Sequence, residues 1–279
     1  MQQFGRAIQL VIGNDRESIV IDGGLTISFD ITKTITAEPN EATISVVNLS
    51  QSTRNLITEK KYNRILLNAG YGDDLRTLFV GYIDDVNNRK EGVDTTTAMT
   101  CTDGSIDYRN SRTAKTIAAG STDKDIVGEV LKDMPNTKAG TQELPKTQRL
   151  PRGKVLVGNS RDILKSVAKN QNADWSIQDG KLVMLPKTSA LANNEGFLIE
   201  ENTGMIGSPQ KTSDGLEVRC YLNNILRVGQ LVRVVSRLQE YSGDFKIKQL
   251  QMRGSNKGQD FTAILTLQNG VYNEVNKKK

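Results

Sequence analysis

Histidine is absent from this 279-residue chain. That absence excludes Ser-His-Asp and Cys-His catalysis, His-ligated zinc and the usual base at neutral pH. Cysteine is nearly absent as well. Cys101 and Cys220 each sit in a strand-like stretch with no second ligand nearby. They read as small buried thiols, and one disulfide between them stays open. Aromatic residues make up only 5% of the chain, a poor supply of stacking platforms for nucleic-acid bases. No apolar run approaches the roughly 18–20 residues of a membrane span, and the opening residues lack the apolar stretch of a secretory leader. No phosphate-binding G-x-x-x-x-G-K-[ST], no strand-linked G-x-G-x-x-G and no EF-hand loop occurs. No metal, cofactor or catalytic residue is therefore expected.

What remains is ordinary globular material. Hydrophobic residues are 37% and charged residues 25%, enough for a packed core. The net charge of +5 is spread along the chain, and only Lys277, Lys278 and Lys279 form a like-charge run, read as a solvated tail.

Residues 24–35 alternate Leu25, Ile27, Phe29 and Ile31 against Thr26, Ser28, Asp30 and Thr32, the pattern of a half-buried antiparallel strand. Further strands are expected over 41–49, 64–69, 75–86 and 95–102, the last with Met99 and Cys101 inward and its threonines outward. A short helix over 50–58 is capped by Ser50 or Ser52. The middle differs. Thr122-x-x-Asp125 fits a capping box ahead of the helically spaced Ile126, Val127, Val130 and Leu131. Residues 138–153 read as loop, Ser160 as the cap of a second helix, and Asp179-Gly180 as a hairpin turn. Strands return over 230–238, 244–253 and 260–268, with a bulge expected near Gln249.

Residues 79–104 and 245–270 superpose without gaps at an offset of 166, sharing Phe79/Phe245, Gly92/Gly258, Asp94/Asp260, Thr96/Thr262, Thr100/Thr266 and Gly104/Gly270. The expected architecture is mainly β with an α/β insertion. A first β domain covers residues 1–105, a helix-plus-hairpin middle domain 106–190, and a second β domain 191–279. The acidic pairs Asp73-Asp74 and Asp84-Asp85 invite a carboxylate site. Adjacent strand residues point to opposite faces, however, and Asp73-Asp74 suits a turn. Arg233 and Arg237 share one face of the predicted 230–238 strand and could form a basic stripe. A carboxylate-dependent hydrolase and a nucleic-acid-binding β-barrel module are therefore the competing readings.

The runs NLSQSTRNLI, ILLNAGYGDDLRTLFVGYIDDV and TTTAMTCTDGSIDY resemble the N-terminal domain of baseplate hub proteins of contractile-tailed phages. SRDILKSVAKNQNADWSIQDGKLVMLP resembles that family's middle segment, and LNNILRVGQLVRVVSRLQEYSGDFKIKQLQMRGSNKGQDFTAILTL its C-terminal barrel. The resemblance implies two tail-tube-like antiparallel β-barrels per chain. It also implies a homotrimer whose pseudo-six-fold ring adapts a six-fold tail tube to a three-fold central spike in the virion baseplate. The implied partners are the tail tube protein, the central spike protein, baseplate wedge proteins and the tape measure protein, with DNA passing through the lumen. Candidate inter-subunit or inter-ring contacts are then Asp73, Asp74, Asn87, Arg89, Gly92, Arg233, Arg237, Asn256 and Gly258.

Overall fold

The computed structural model describes residues 5–191, 197–213 and 215–270, and the backbone of 273–275. The triple-lysine end lies outside the described residues. The N-terminal part comprises β1 (Arg6–Gly13), β2 (Ser18–Ile21), β3 (Ile27–Thr34), β4 (Glu41–Val47), α1 (Gln51–Thr58), β5 (Arg64–Tyr71), β6 (Asp74–Glu91) and β7 (Asp94–Thr102). The middle holds α2 (Ser105–Asn110), β8 (Arg112–Ile117), α3 (Asp123–Leu131), β9 (Lys138–Gln142), β10 (Lys154–Asn159), α4 (Ser160–Gln171), β11 (Ala173–Gln178) and β12 (Lys181–Pro186). The C-terminal part adds β13 (Ser189–Leu191), β14 (Phe197–Ile199), β15 (Gln210–Lys211), β16 (Gly215–Tyr221), β17 (Leu231–Val234), β18 (Gly243–Ser255), β19 (Phe261–Gln268) and β20 (Asn273–Val275).

The chain is mainly β and mostly antiparallel. One 13-stranded sheet runs in the order β15-β16-β19-β18-β3-β4-β7-β6-β5-β1-β2, with β17 beside β18 and β14 beside β17. This order does not close on itself among the described residues. The N- and C-terminal strands meet through β3 and β18, from Gln249 opposite Thr34 to Ser255 opposite Ser28. They share one apolar core, in which Ile31 and Ile44 from one part pack with Ile247 and Leu265 from the other. Complete burial of each such side chain contributes roughly 1.5–3 kcal/mol. A second core under α3, α4, β11 and β12 belongs to the middle segment and contains Trp175.

The alternation of β3 survives folding, with Ile27, Phe29 and Ile31 buried. Ser50 caps α1, and Thr122 and Asp125 form the expected box on α3. Asp179 and Gly180 both take positive φ, 51° and 74°, as a two-residue type I′ turn requires. Ser160 does not cap α4: the cap is Asn159, and Ser160 is buried against the Thr113 hydroxyl at 3.0 Å. Residues 138–153 are not all loop, because β9 pairs in parallel with β12. Thr97 of β7 faces inward, where its hydroxyl donates to Asn88 Oδ1 at 2.8 Å.

The internal repeat is real in register and larger than the sequence match. Ala42 lies opposite Cys101 and Ile44 opposite Met99, as Leu216 lies opposite Leu267 and Val218 opposite Leu265. Ile83 lies opposite Cys101, a residue bulges, and Asp85 lies opposite Thr100. In the second copy Ile247 lies opposite Leu267, a residue bulges, and Gln249 lies opposite Thr266. Ile65 opposite Gly81 corresponds to Val232 opposite Phe245. Thus β4, β5, β6 and β7 correspond to β16, β17, β18 and β19. The gapless match holds on β7 and β19. On β6 and β18 it is displaced by two residues, so Phe79 and Phe245 are not equivalent. The cause is the hairpin tip: Gly92-Val93 joins Glu91 to Asp94, whereas four residues, 256–259, separate Ser255 from Asp260.

Candidate assembly surfaces

The sequence-predicted contact residues fall at three places. Asp73 lies in the two-residue turn between β5 and β6, and Asp74 opens β6, where it ion-pairs with Arg76 at 3.0 Å. Both are exposed. Arg6, opposite Tyr71, sends its guanidinium to the Gly258 carbonyl at 2.6 Å and lies 5.5 Å from the Phe261 ring centroid. The Asp73 turn and the 256–259 tip are therefore brought to the same end of the molecule. Asn256 is engaged within the chain: its amide accepts from Ile27 N–H at 2.9 Å and donates to Leu25 O at 2.7 Å.

Asn87 and Arg89 are not in a loop. Strand β6 continues for 18 residues to Glu91, and both stand exposed on its outer arm, with Arg89 paired to Glu91 at 2.9 Å. Alternation fades after Val86, where NNRKE offers no inward apolar residue, but hydrogen bonding to β7 carries the strand on. Gly92 (φ 60°) takes the first central position of the tip, where a positive φ suits glycine, and Val93 beside it is 94% exposed.

Arg233 and Arg237 do not form a stripe. Strand β17 ends at Val234, and Ser236 and Ser242 bond each other in a local turn instead of extending the ladder. Arg233 is clamped by Asp244 through two bonds of 2.7 Å, and Arg237 by Glu201 at 2.8 Å. The bulge turns Asp84 toward Thr102 (2.6 Å) and Arg109 (3.2 Å), leaving Asp85 exposed. Among the described residues no three acidic or cysteine side chains are grouped to hold a metal. Both cysteines are free and buried, and burial pushes each thiol up to about 12.

A charged cluster that the sequence reading missed ties the middle segment to the sheet. Lys33, 1% exposed, bonds both Asp179 oxygens at 2.7 Å. Asp179 also accepts from Val80 N–H at 3.2 Å. The turn returns its own donors: Asp179 N–H and Gly180 N–H (3.0 Å) bind the two oxygens of the buried Asp103. Burial, reinforced by the Asp179 charge, pushes the Asp103 carboxyl up to about 7. The signal was available, since Lys33 falls on the inward phase of Ile27, Phe29 and Ile31, and an inward lysine demands a partner.

The profile of the family described as Baseplate hub gp41 matches residues 7–267. No curated protein matches the chain in sequence. The 43 kDa tail protein of prophage MuSo2 from Shewanella oneidensis is similar in structure, with a TM-score of 0.64 at 11% identity over 94% of this chain and 98% of that one. The tail protein from Neisseria meningitidis MC58 gives 0.67 at 11% identity, over 95% and 97%. An E. coli component of the type VI secretion system, described as structurally similar to T4 bacteriophage tail proteins gp27 and gp5, gives 0.59 at 9% identity, over 94% and 78%. At these identities the likeness is one of fold.

Proposed function

The chain belongs to the baseplate hub gp41 family, and from that premise we propose that it builds a homotrimeric, pseudo-six-fold ring joining a six-fold tail tube to a three-fold central spike. A structural role in the phage baseplate, and with it a place in the virion tail, follows from the family. The observation that carries the finer reading is the register-matched repeat of β4–β7 in β16–β19. A chain with two equivalent β units makes six equivalent positions when three copies close into a ring. Each unit supplies one tail-tube-like barrel wall, with residues 1–105 and 191–279 flanking the 106–190 segment.

In this reading the work is mechanical and needs no catalytic group. The Asp73-Asp74 turn and the Asn256–Gly258 tip, gathered at one end, form one inter-ring contact. The Asn87–Gly92 arm, with Arg89, forms an inter-subunit contact. Arg233 and Arg237 contribute through their ion pairs at the same interfaces. Tail tube and spike proteins take the two ring faces, wedge proteins the outside, and tape measure protein and DNA the lumen. A nucleic-acid reader is disfavoured because Arg233 and Arg237 are already paired with carboxylates. A hydrolase is disfavoured because Asp84 is engaged by Thr102 and Arg109.

Light scattering of the full chain, alone and with its spike protein, tests the proposal. A trimer is expected. A chain that stays monomeric at high concentration with the spike present contradicts it.

A further inference from the structure

The two β units differ at one edge, and the difference assigns an interface. In the second unit, the outer edge of β18 beyond the bulge is covered by β3, with Gln251 opposite Thr32, Met252 opposite Ile31 and Arg253 opposite Asp30. In the first unit, the equivalent edge of β6 has no strand on it among the described residues. Strand β5 stops at Arg64 opposite Tyr82, and among the described residues β6 from Asp85 to Glu91 pairs only with β7. The register equivalence places Asn87, Asn88 and Arg89 where Gln251, Met252 and Arg253 stand.

The matching strand also exists in the second unit. Strand β3 lies on β4 with Ile31 opposite Ala42, and β15 lies on β16 with Lys211 opposite Leu216, the counterpart of Ala42. So β15 is the second unit's β3, and it ends the sheet with its far side open among the described residues. Thr212 N–H is bonded to Gly215 O at 3.0 Å. Alternation along a strand then turns the Lys211 N–H and C=O away from β16, toward that open side.

Resting on the ring reading above, we propose that the outer edge of β6 in one copy pairs antiparallel with β15 of the next. Asn87 then lies opposite the partner subunit's Thr212, Asn88 opposite the partner subunit's Lys211, and Arg89 opposite the partner subunit's Gln210. The occupant is a second copy because the chain already makes this joint once, between β18 and β3. Repeating it between chains joins unit to unit by one rule around the ring. The contact is head-to-tail, so each copy donates one edge and receives another, and closure leaves neither edge open. Charge on the β6 arm does not prevent pairing, since Arg253 lies on the covered edge of β18 and bonds Asp30 at 2.7 Å.

The test is a double variant of the full chain, Asn87→Cys with Thr212→Cys. Thr212 is bonded toward β16, so the proposed pair is of the close, non-hydrogen-bonded kind that suits a disulfide. Mild oxidation is expected to give covalent dimers and trimers on a non-reducing gel. The pair Asn87→Cys with Ser18→Cys, which probes the other terminal strand, is expected to give none. Lys211→Pro, which removes the outward N–H, is expected to dissociate the ring while its thermal unfolding shows a folded subunit. Lys211→Ala is expected to keep the ring. A wild-type ring whose 87/212 variant does not cross-link, or which cross-links through 87/18, overturns this pairing and leaves the ring reading standing. A wild-type chain that never assembles, with no cross-link, overturns both.

Discussion

The β6–β7 and β18–β19 hairpins share one register and one bulge, yet their surroundings differ. The bulge leaves Asp84 between Ile83 and Asp85 in one hairpin and Lys248 between Ile247 and Gln249 in the other. The outer edge of β18 is sealed inside the chain by β3, whereas that of β6 is open among the described residues, with Asn87, Arg89 and Lys90 exposed. The tips differ as well. The 256–259 tip is fastened by Asn256 to the start of β3, while Gly92-Val93 projects freely. The two units thus share one frame and differ at their edges. One edge is an internal joint, and the other is the edge proposed above as an assembly surface.

Deleting Leu250, two residues past the bulge of β18, should break the comparison most severely. The one-residue slip puts Gln251 and Arg253 on the buried face where Leu250 and Met252 stood and turns Met252 outward. A loss above about 4 kcal/mol is expected, read as failure to fold on urea titration.

Next come Ile44→Ala and Ile247→Ala, one core isoleucine truncated in each half, each expected to lose about 2–5 kcal/mol. Because both side chains belong to one core, each should shift a single shared transition. Two separate transitions would show two independently folding halves.

Asp103 sets a smaller, pH-dependent effect. Its folded-state value of about 7 lies above that of an unfolded aspartate, so the folded chain holds the proton more tightly. The unfolded state then binds fewer protons between about pH 4 and pH 7, and stability falls as pH rises through that window. The contribution is complete below about pH 4 and gone above about pH 7. Asp103→Asn should flatten this slope in chemical-denaturation curves. It should also lose about 1–3 kcal/mol at low pH, because an amide cannot accept on both sides from the Asp179 and Gly180 N–H groups.

The smallest effects separate the tips. Asn256→Ala should cost about 1–2 kcal/mol through two lost hydrogen bonds. Arg89→Ala should stay within about 0.5 kcal/mol in thermal melts of the unassembled subunit, because its pair with Glu91 is exposed.

The fold was legible where local chemistry speaks alone. The alternation of β3, the Thr122/Asp125 box and the Asp179-Gly180 turn are fixed by neighbours in sequence, and all appear as expected. β9 was not legible, because KAGTQ carries no apolar alternation and is held as a strand only by β12. The true offset of the repeat was hidden by the longer 256–259 tip. Among the candidate contacts, the acidic turn at Asp73 and the glycine tip at Gly92 could be read locally. The Arg233–Arg237 stripe failed because nothing local announced that β17 would stop at Val234. Lys33, Asp103 and Asp179 are far apart in the chain and meet only once the middle segment docks.

The central claim is that two matched units per chain make six similar positions in a ring. Negative-stain electron microscopy of the assembled full chain tests it most directly. The account predicts end-on views with six similar lobes obeying strict three-fold symmetry. A closed two-fold dimer, or a ring with any other number of subunits, would contradict it.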